Sequence, residues 1–199
     1  MAFTFFFRDS QTLDMLATFL VQYSSGRMHI KVWNPGCASG QEPYTFAMML
    51  SEKMGHFAFR NLIFHNTDID ISNLFQEIIE KGIYKYEELQ RIPIDLFEKY
   101  FKHVTGDLYQ IDEKLRKKMI YYKHDLTTLK PIDSNYSLVL CKNVLLHLQY
   151  EQRVEVIQMF YNSLSDGGLL AMEQTQKMPE EVSHLFHPIA SNAQIYLKL

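Results

Sequence analysis

Two glycines and an aspartate follow predicted strands and are of the residue types that bind a nucleoside. Gly36 and Gly40 lie in the turn after a predicted strand at 30–33, and Asp68 follows a second predicted strand at 62–66. A glycine turn lets the backbone approach a ligand closely, and a carboxylate after the next strand accepts two ribose hydroxyls. The third glycine of the Gly-x-Gly-x-x-Gly pattern is absent, so the turn alone is a weak signal that favours a nucleoside-type ligand over a nicotinamide dinucleotide.

Three further polar side chains are candidates for the same site. Asp125 and Asn143 follow predicted strands at 119–122 and 137–141, and ligands of open α/β sheets bind at the carboxyl ends of the strands. Arg8 follows three phenylalanines that require burial, and its planar guanidinium group suits a carboxylate partner. The alternative for Arg8 is an ordinary solvated arginine, and the alternative for Asp68 is a turn residue.

The elements that must position these residues alternate along the chain. Short β-branched or aromatic runs alternate with longer amphipathic stretches, which predicts a doubly wound α/β fold with a mostly parallel sheet. The turn signal Thr105-Gly106-Asp107 predicts a small antiparallel β-excursion over 102–123. Apolar spacing and stop signals predict helices at 10–24, 44–54, 72–81, 86–101 (broken at Pro93) and 151–164 (stopped by Asp166-Gly167-Gly168), and late strands at 169–172 and 194–197.

Composition limits the class of protein. The 199 residues and 23.5 kDa fit a single domain over 1–199. A net charge of −3 and a pI near 6.2 give no basic excess for nucleic acid or an anionic membrane. Cys37 and Cys141 have no paired spacing, so we predict neither a disulfide scaffold nor a metal site. Without a long apolar run or signal peptide, we expect a cytoplasmic protein, and we expect a monomer.

Several motifs in this order resemble those of the CheR-type chemotaxis receptor methyltransferases. Thr4-Phe5-Phe6-Phe7-Arg8-Asp9 is similar to the family's Thr-x-Phe-Phe-Arg-Asp/Glu. The segment from Trp33 to Tyr44, which contains Gly36-Cys37-Ala38-Ser39-Gly40-Gln41-Glu42-Pro43, resembles the specific signature Trp-x-x-x-Cys-Ser-x-Gly-Glu-Glu-Pro-Tyr. Thr67-Asp68-Ile69-Asp70, Gly82-Ile83-Tyr84 and Cys141-Lys142-Asn143-Val144 also match family motifs, so the resemblance covers essentially the whole chain.

The resemblance implies a Rossmann-like class I methyltransferase that uses S-adenosylmethionine and releases S-adenosylhomocysteine. Its implied acceptors are glutamates on the cytoplasmic helices of chemoreceptors, and the 102–123 segment matches in position a small β-subdomain that grips a receptor tail in some members. Asp68 would hold the ribose hydroxyls, and Glu42 would lie at the amino-acid end of the methyl donor. The other implied donor-binding residues are Thr4, Arg8, Gly36, Ala38, Gly40, Asp125, Leu126, Asn143 and Val144.

Three features depart from the family pattern. His147 stands where the family has a tyrosine near the transferring methyl group, and Ala171-Met172-Glu173-Gln174 stands where a late Gly-His/Ser-Ser-Glu motif is usual. The resemblance also predicts a helical domain before the Thr-x-Phe-Phe-Arg motif, which these 199 residues do not include. These departures concern the identity of the acceptor more than donor binding.

The predicted activity is methyl transfer to protein glutamates, with Arg8 orienting the acceptor carboxylate and His147 lining the methyl-transfer pocket. A carboxylate is already ionised at neutral pH, so the absence of an obvious general base is consistent with this reaction. The alternatives are a module that binds S-adenosylmethionine or S-adenosylhomocysteine without transfer, a methyltransferase with a different acceptor, and a nicotinamide-dependent oxidoreductase.

Overall fold

The computed structural model describes residues 4–199, so residues 1–3 of the predicted 1–199 domain lie outside the described part. Its strands are β1 (Ile30–Pro35), β2 (Leu62–Asp68), β3 (Ile83–Lys85), β4 (Phe101–Thr105), β5 (Leu108–Ile111), β6 (Met119–Lys123), β7 (Tyr136–Cys141), β8 (Leu164–Met172), β9 (Phe186–Pro188) and β10 (Ile195–Lys198). Its α-helices are α1 (Ser10–Tyr23), α2 (Gln41–Lys53), α3 (His56–Arg60), α4 (Phe75–Lys81), α5 (Tyr86–Leu89), α6 (Ile94–Tyr100), α7 (Glu113–Arg116), α8 (Tyr150–Ser163) and α9 (Glu180–Ser183).

Seven strands form the main sheet in the order β6-β2-β1-β7-β8-β10-β9. The pairs β6–β2, β2–β1, β1–β7 and β7–β8 are parallel, whereas β10 pairs antiparallel with both β8 and β9. The carboxyl ends of five parallel strands therefore meet at one edge of the sheet, here called the carboxyl edge. The predicted α/β fold with a mostly parallel sheet is confirmed.

Both faces of this sheet are buried, which is why its central strands read as nearly continuous apolar runs. On one face, Val32, Leu138 and Leu140 join a core that α1 and α2 cover with Leu13, Leu16, Tyr44 and Phe46. On the other face, Trp33, Val139 and Cys141 pack with Val156 and Phe160 of α8. Alternate residues of each strand thus enter opposite cores, as the period of two requires.

A second, three-stranded antiparallel sheet has the order β3-β5-β4. The hairpin β4–β5 turns at Gly106, where the sequence predicted it. The small sheet nevertheless differs from the predicted 102–123 segment at both ends. Its third strand, β3, precedes that segment, and β6 at the segment's end pairs with β2 in the main sheet.

Two helices begin three residues away from the predicted position, α2 early, at Gln41 and not at 44, and α4 late. Helix α4 begins at Phe75 and not at 72, because the Asp70 carboxylate accepts the Leu74 and Phe75 backbone N–H groups at 3.3 and 3.0 Å. Helix α8 ends at Ser163, within one residue of the predicted end at 164, but residues 166–168, which were predicted to stop it, do not do so. Those residues lie inside β8, where the pairing with β7 shifts its register and Gly167 has φ +66°.

Candidate functional site

The glycine turn after β1 is tied to the end of β2. The Gly36 and Cys37 backbone N–H groups both donate to the Thr67 carbonyl, at 2.7 and 3.1 Å. Gly36, Ala38 and Gly40 have φ of +75°, +47° and +93°, so three residues of one short turn are left-handed. For Ala38 this conformation is costly, and such residues cluster at functional sites.

Glycine is required at position 36 because the turn touches the loop after β7. A Cβ atom on Gly36 would lie 2.0 Å from Cγ2 of Val144. Real side-chain atoms do not approach this closely. Glycine at position 36 therefore allows the loop after β1 to contact the loop after β7 at the carboxyl edge. Both residues were predicted to bind the donor, and the structure brings them together.

Asp68 ends β2 with a carboxylate that is held by two backbone donors. Its Oδ2 accepts the Ala38 N–H at 3.0 Å, and its Oδ1 accepts the Asp70 N–H at 3.0 Å. An ionised carboxylate oxygen has two acceptor positions, so each oxygen keeps one. The side chain is half-buried. Asp68 is therefore oriented and can still accept two hydroxyl groups, as a ribose requires.

Asp70 stabilises the loop that follows Asp68, a role that the sequence analysis missed. Burial raises the pKa of Asp70, but hydrogen bonds from the Ser72 hydroxyl, two backbone N–H groups and the Tyr121 hydroxyl offset this, and the pKa is lowered overall. The residue has φ +37°. An ionised, buried Asp70 thus fixes the loop beside the predicted ribose position.

Arg8 reaches the carboxyl edge from the N-terminal segment. Its Nη2 donates to Oδ1 of Asn143 at 3.1 Å. The segment is anchored by the Phe7 N–H, which donates to the Thr45 hydroxyl at 3.1 Å, and by the fully buried Phe6 ring. Two residues that are 135 positions apart in sequence, both predicted to bind the donor, are therefore in direct contact.

Glu173, at the end of β8, shapes the loop that carries Asn143. Its Oε2 accepts the Asn143 N–H and its Oε1 accepts the Leu146 N–H, both at 3.2 Å. Glu173 is buried, and Asn143 itself has φ +60°. The buried carboxylate holds Asn143 in this uncommon conformation. The segment 171–174, which differs from the family's late motif, thus contains a residue that supports the site.

A buried polar cluster joins β1 to α2. The Asn34 side-chain amide donates to Oε1 of Glu42 at 2.9 Å and to the Leu140 carbonyl at 2.7 Å. Its own oxygen is buried and has no hydrogen-bond partner within residues 4–199. Burial raises the pKa of Glu42, although Lys142, Asn34 and Arg8 favour the ionised form. Lys142 is itself buried and pairs with Asp9. The Asn34 oxygen is thus a buried acceptor, without a partner in the described part of the chain, beside the Glu42 carboxylate.

Glu42 gives a prediction about stability and pH. Because the native state favours its protonated form, this group's contribution to stability falls as pH rises from the ordinary carboxyl range through its raised pKa. Glu42→Gln should therefore raise the free energy of unfolding at pH 7 and remove this decline. Urea unfolding between pH 4 and 8 measures it. A variant less stable than the parent at pH 7 would contradict the prediction.

The remaining predicted residues lie in different surroundings. The Asp125 carboxylate accepts the Thr127 N–H at 2.9 Å and so begins a 3-10 turn, in which Leu126 is buried. Thr4 is half-buried. His147 is exposed on a 3-10 turn after Val144, and its ring has no hydrogen-bond partner within the described residues. Burial raises the pKa of the Cys37 thiol well above its ordinary value, so Cys37 is a small core residue.

The fold is the class I methyltransferase fold. Among solved structures, the chain is similar to DszA carbon methyltransferase, with a TM-score of 0.52 and 15% identity over 84% of this chain and 36% of that one. This likeness concerns the fold.

The family is that of the CheR methyltransferases. Residues 2–195 match the family model described as "CheR methyltransferase, SAM binding domain", and the chain belongs to this family. It is 31% identical to the chemotaxis protein methyltransferase of Borreliella burgdorferi, over 87% of this chain and 63% of that protein. It is 30% identical to that of Listeria monocytogenes, over 83% and 61%. The chain thus spans less than two thirds of the length of either relative.

The cofactor of this family is S-adenosylmethionine, and the residues present fit it. The two open acceptor positions on Asp68 suit the ribose. The half-buried Glu42 carboxylate suits the amino group, beside an Asn34 oxygen that lacks a partner among the described residues. No α-helix within residues 4–199 has the length and apolar character that crossing a membrane requires.

Proposed function

We propose that this domain transfers the methyl group of S-adenosylmethionine to glutamate carboxylates of chemoreceptors. The hydrogen bond from Arg8 to Asn143 carries the proposal, because it holds a guanidinium group at the carboxyl edge, beside the residues that fit the donor. The two relatives above, both named chemotaxis protein methyltransferases, support the choice of acceptor.

The donor-binding roles follow from position around the carboxyl edge. Asp68 accepts the ribose hydroxyls, and Glu42 accepts the ammonium group. Asp125 and Leu126, after β6, lie next along the edge from Asp68 and contact the adenine. The backbone of Gly36, Ala38 and Gly40 allows close approach, and Thr4, Asn143 and Val144 complete the pocket.

The chain's task in the reaction is to position the acceptor and exclude water. S-adenosylmethionine supplies a methyl group on a positively charged sulfur. The glutamate oxygen forms a bond to the methyl carbon as the carbon–sulfur bond breaks, and the electron pair of that bond stays on sulfur. The attacking oxygen is already ionised at neutral pH, so no residue here needs to remove a proton. Arg8 orients the carboxylate through its planar donors, and His147 lines the entrance.

We also propose the compartment, the oligomeric state and the partners of this domain. The 199 residues act as one methyltransferase domain in the cytoplasm, as a monomer, on the cytoplasmic helices of receptors. The small β-subdomain, formed by the sheet β3-β5-β4, offers a receptor tail the outer edges of β3 and β4. The net charge of −3 argues against nucleic acid as a partner.

Arg8→Ala should lower the methylation rate of a chemoreceptor cytoplasmic fragment about tenfold, because the acceptor carboxylate loses its orienting partner. Affinity for S-adenosylhomocysteine should fall less than the rate does, since Asp68 and Glu42 remain. Transfer of a labelled methyl group gives the rate, and calorimetric titration gives the affinity.

The matched control is Arg60→Ala, because Arg60 is exposed in α3 and precedes β2, at the opposite edge of the sheet. It should leave both quantities unchanged. An Arg8→Ala variant with the parent's methylation rate would remove the role proposed for Arg8. A parent chain that binds S-adenosylmethionine and methylates no receptor fragment would favour a binding module or a different acceptor, as the exposed His147 in place of tyrosine permits.

A further inference from the structure

A second arginine lies outward from Arg8, against the same aromatic ring. The guanidinium carbon of Arg91 is 4.0 Å from the centre of the Phe5 ring, and that of Arg8 is 5.8 Å from it. Arg8 in turn contacts Asn143 in the loop after β7. The Phe5 ring therefore contacts both Arg8, at the candidate site, and the exposed Arg91.

The segment that carries Arg91 is fixed to the glycine turn. Arg91 lies between α5 and α6, and Glu88 of α5 accepts the Gln41 side-chain N–H at 3.3 Å. Gln41 is buried at the start of α2 and accepts the Ser39 hydroxyl at 2.8 Å. Glu88 also accepts the Lys85 N–H at 3.1 Å. The position of Arg91 relative to the donor-binding turn is therefore built into the fold.

The charge of Arg91 is not neutralised by the described part of the chain. Its side chain is exposed, and within residues 4–199 no carboxylate forms an ion pair with it. Glu88, three positions before Arg91, accepts N–H groups of Gln41 and Lys85 and forms no ion pair with Arg91. A guanidinium group stacked on a ring keeps its in-plane N–H donors available, and those donors match a carboxylate. Two cations on one ring attract an acidic partner.

We propose that Arg91 binds a second carboxylate of the protein acceptor, one that neighbours the glutamate to be methylated. The inference rests on the proposed function and adds the chemistry of the acceptor, which is an acidic segment and not an isolated glutamate. Arg91 is a specificity residue, because it does not touch the reacting atoms.

The test combines a change in the enzyme with a change in the acceptor. The native acceptor is a chemoreceptor cytoplasmic fragment, and the amide acceptor has every acid within one helical turn of the methylated glutamate replaced by its amide. With the native acceptor, Arg91→Gln should raise KM about fivefold with little change in kcat. With the amide acceptor, the same variant should match the parent. Arg91→Lys should recover part of the loss, and Arg60→Gln should have no effect.

Fluorescence anisotropy of the labelled fragments with the S-adenosylhomocysteine complex gives the same comparison without turnover. A loss of affinity confined to the native acceptor supports the proposal. An equal loss on both acceptors would mean that Arg91 only holds the N-terminal segment, and no loss on either would mean that it contacts no acceptor. Either result overturns the inference and leaves the proposed function standing. If the parent methylates neither fragment while binding S-adenosylmethionine, the proposed function fails and the inference fails with it.

Discussion

Asp68→Ala is expected to lower the affinity for S-adenosylhomocysteine at least about 100-fold. Each hydrogen bond to a charged group contributes about 1.5–3 kcal/mol, and two ribose hydroxyls would lose their acceptor. The carboxylate is also held by the Ala38 and Asp70 N–H groups at 3.0 Å, so the variant loses a preorganised partner. Calorimetric titration measures the affinity, and the demethylated product avoids turnover.

Two variants separate this role from a general effect on the fold. Asp68→Asn keeps the shape and one acceptor oxygen, so its loss of affinity should be smaller. Asp133→Asn removes a carboxylate that pairs with Lys31 and precedes β7, away from the carboxyl edge, and it should bind like the parent. If Asp68→Ala bound S-adenosylhomocysteine within threefold of the parent while remaining folded, Asp68 would not be the ribose ligand.

Gly36→Ala is expected to lower the free energy of unfolding by about 3 kcal/mol. The added Cβ would lie 2.0 Å from Cγ2 of Val144, and alanine would also have to adopt φ +75°. Overpacking costs about 1–3 kcal/mol and a left-handed alanine about 1–2 kcal/mol. Urea unfolding measures the change, which should be accompanied by weaker donor binding.

The clash can be tested separately from the backbone strain. Gly26 has φ +81° and no atom within 4 Å of a Cβ placed on it, so Gly26→Ala should cost only the strain, about 1 kcal/mol. Adding Val144→Ala to Gly36→Ala removes the clashing methyl groups, so the double variant should be more stable than the sum of the two single effects predicts. Strict additivity would show that the turn and the β7 loop do not press against each other.

Much of the fold was predictable because burial on both faces of the sheet imposes local patterns. The runs that became β1, β2 and β7 are apolar and bounded by turn residues, and Pro93 divides α5 from α6 as expected. The errors arose where a side chain or a glycine acts outside the local pattern. The Asp70 carboxylate accepts N–H groups at the start of α4, which begins three residues later than predicted. Gly167 lies within β8 at φ +66°, where glycine was expected to end a helix.

Residues of the candidate site could be predicted where a glycine or a polar side chain directly follows a predicted strand. Gly36, Asp68 and Asn143 were predicted because each follows a predicted strand. Arg8 was predicted from the phenylalanines before it and from the family motif, and its contact with Asn143 places it at the same edge of the sheet. Residues that support the site through long-range contacts were missed. Asn34 lies inside β1, and its contact with Glu42 depends on how α2 packs. Glu173 supports Asn143 across 30 positions of sequence. A polar residue in an otherwise buried strand was the signal available for Asn34.

The most direct test of the central claim is transfer of a labelled methyl group from S-adenosylmethionine to a chemoreceptor cytoplasmic fragment by the parent chain. The donor site and the Arg8–Asn143 contact predict base-labile label on glutamates of the fragment, lost in Asp68→Ala and reduced in Arg8→Ala. Saturable donor binding with no label on any receptor glutamate would contradict the proposed reaction.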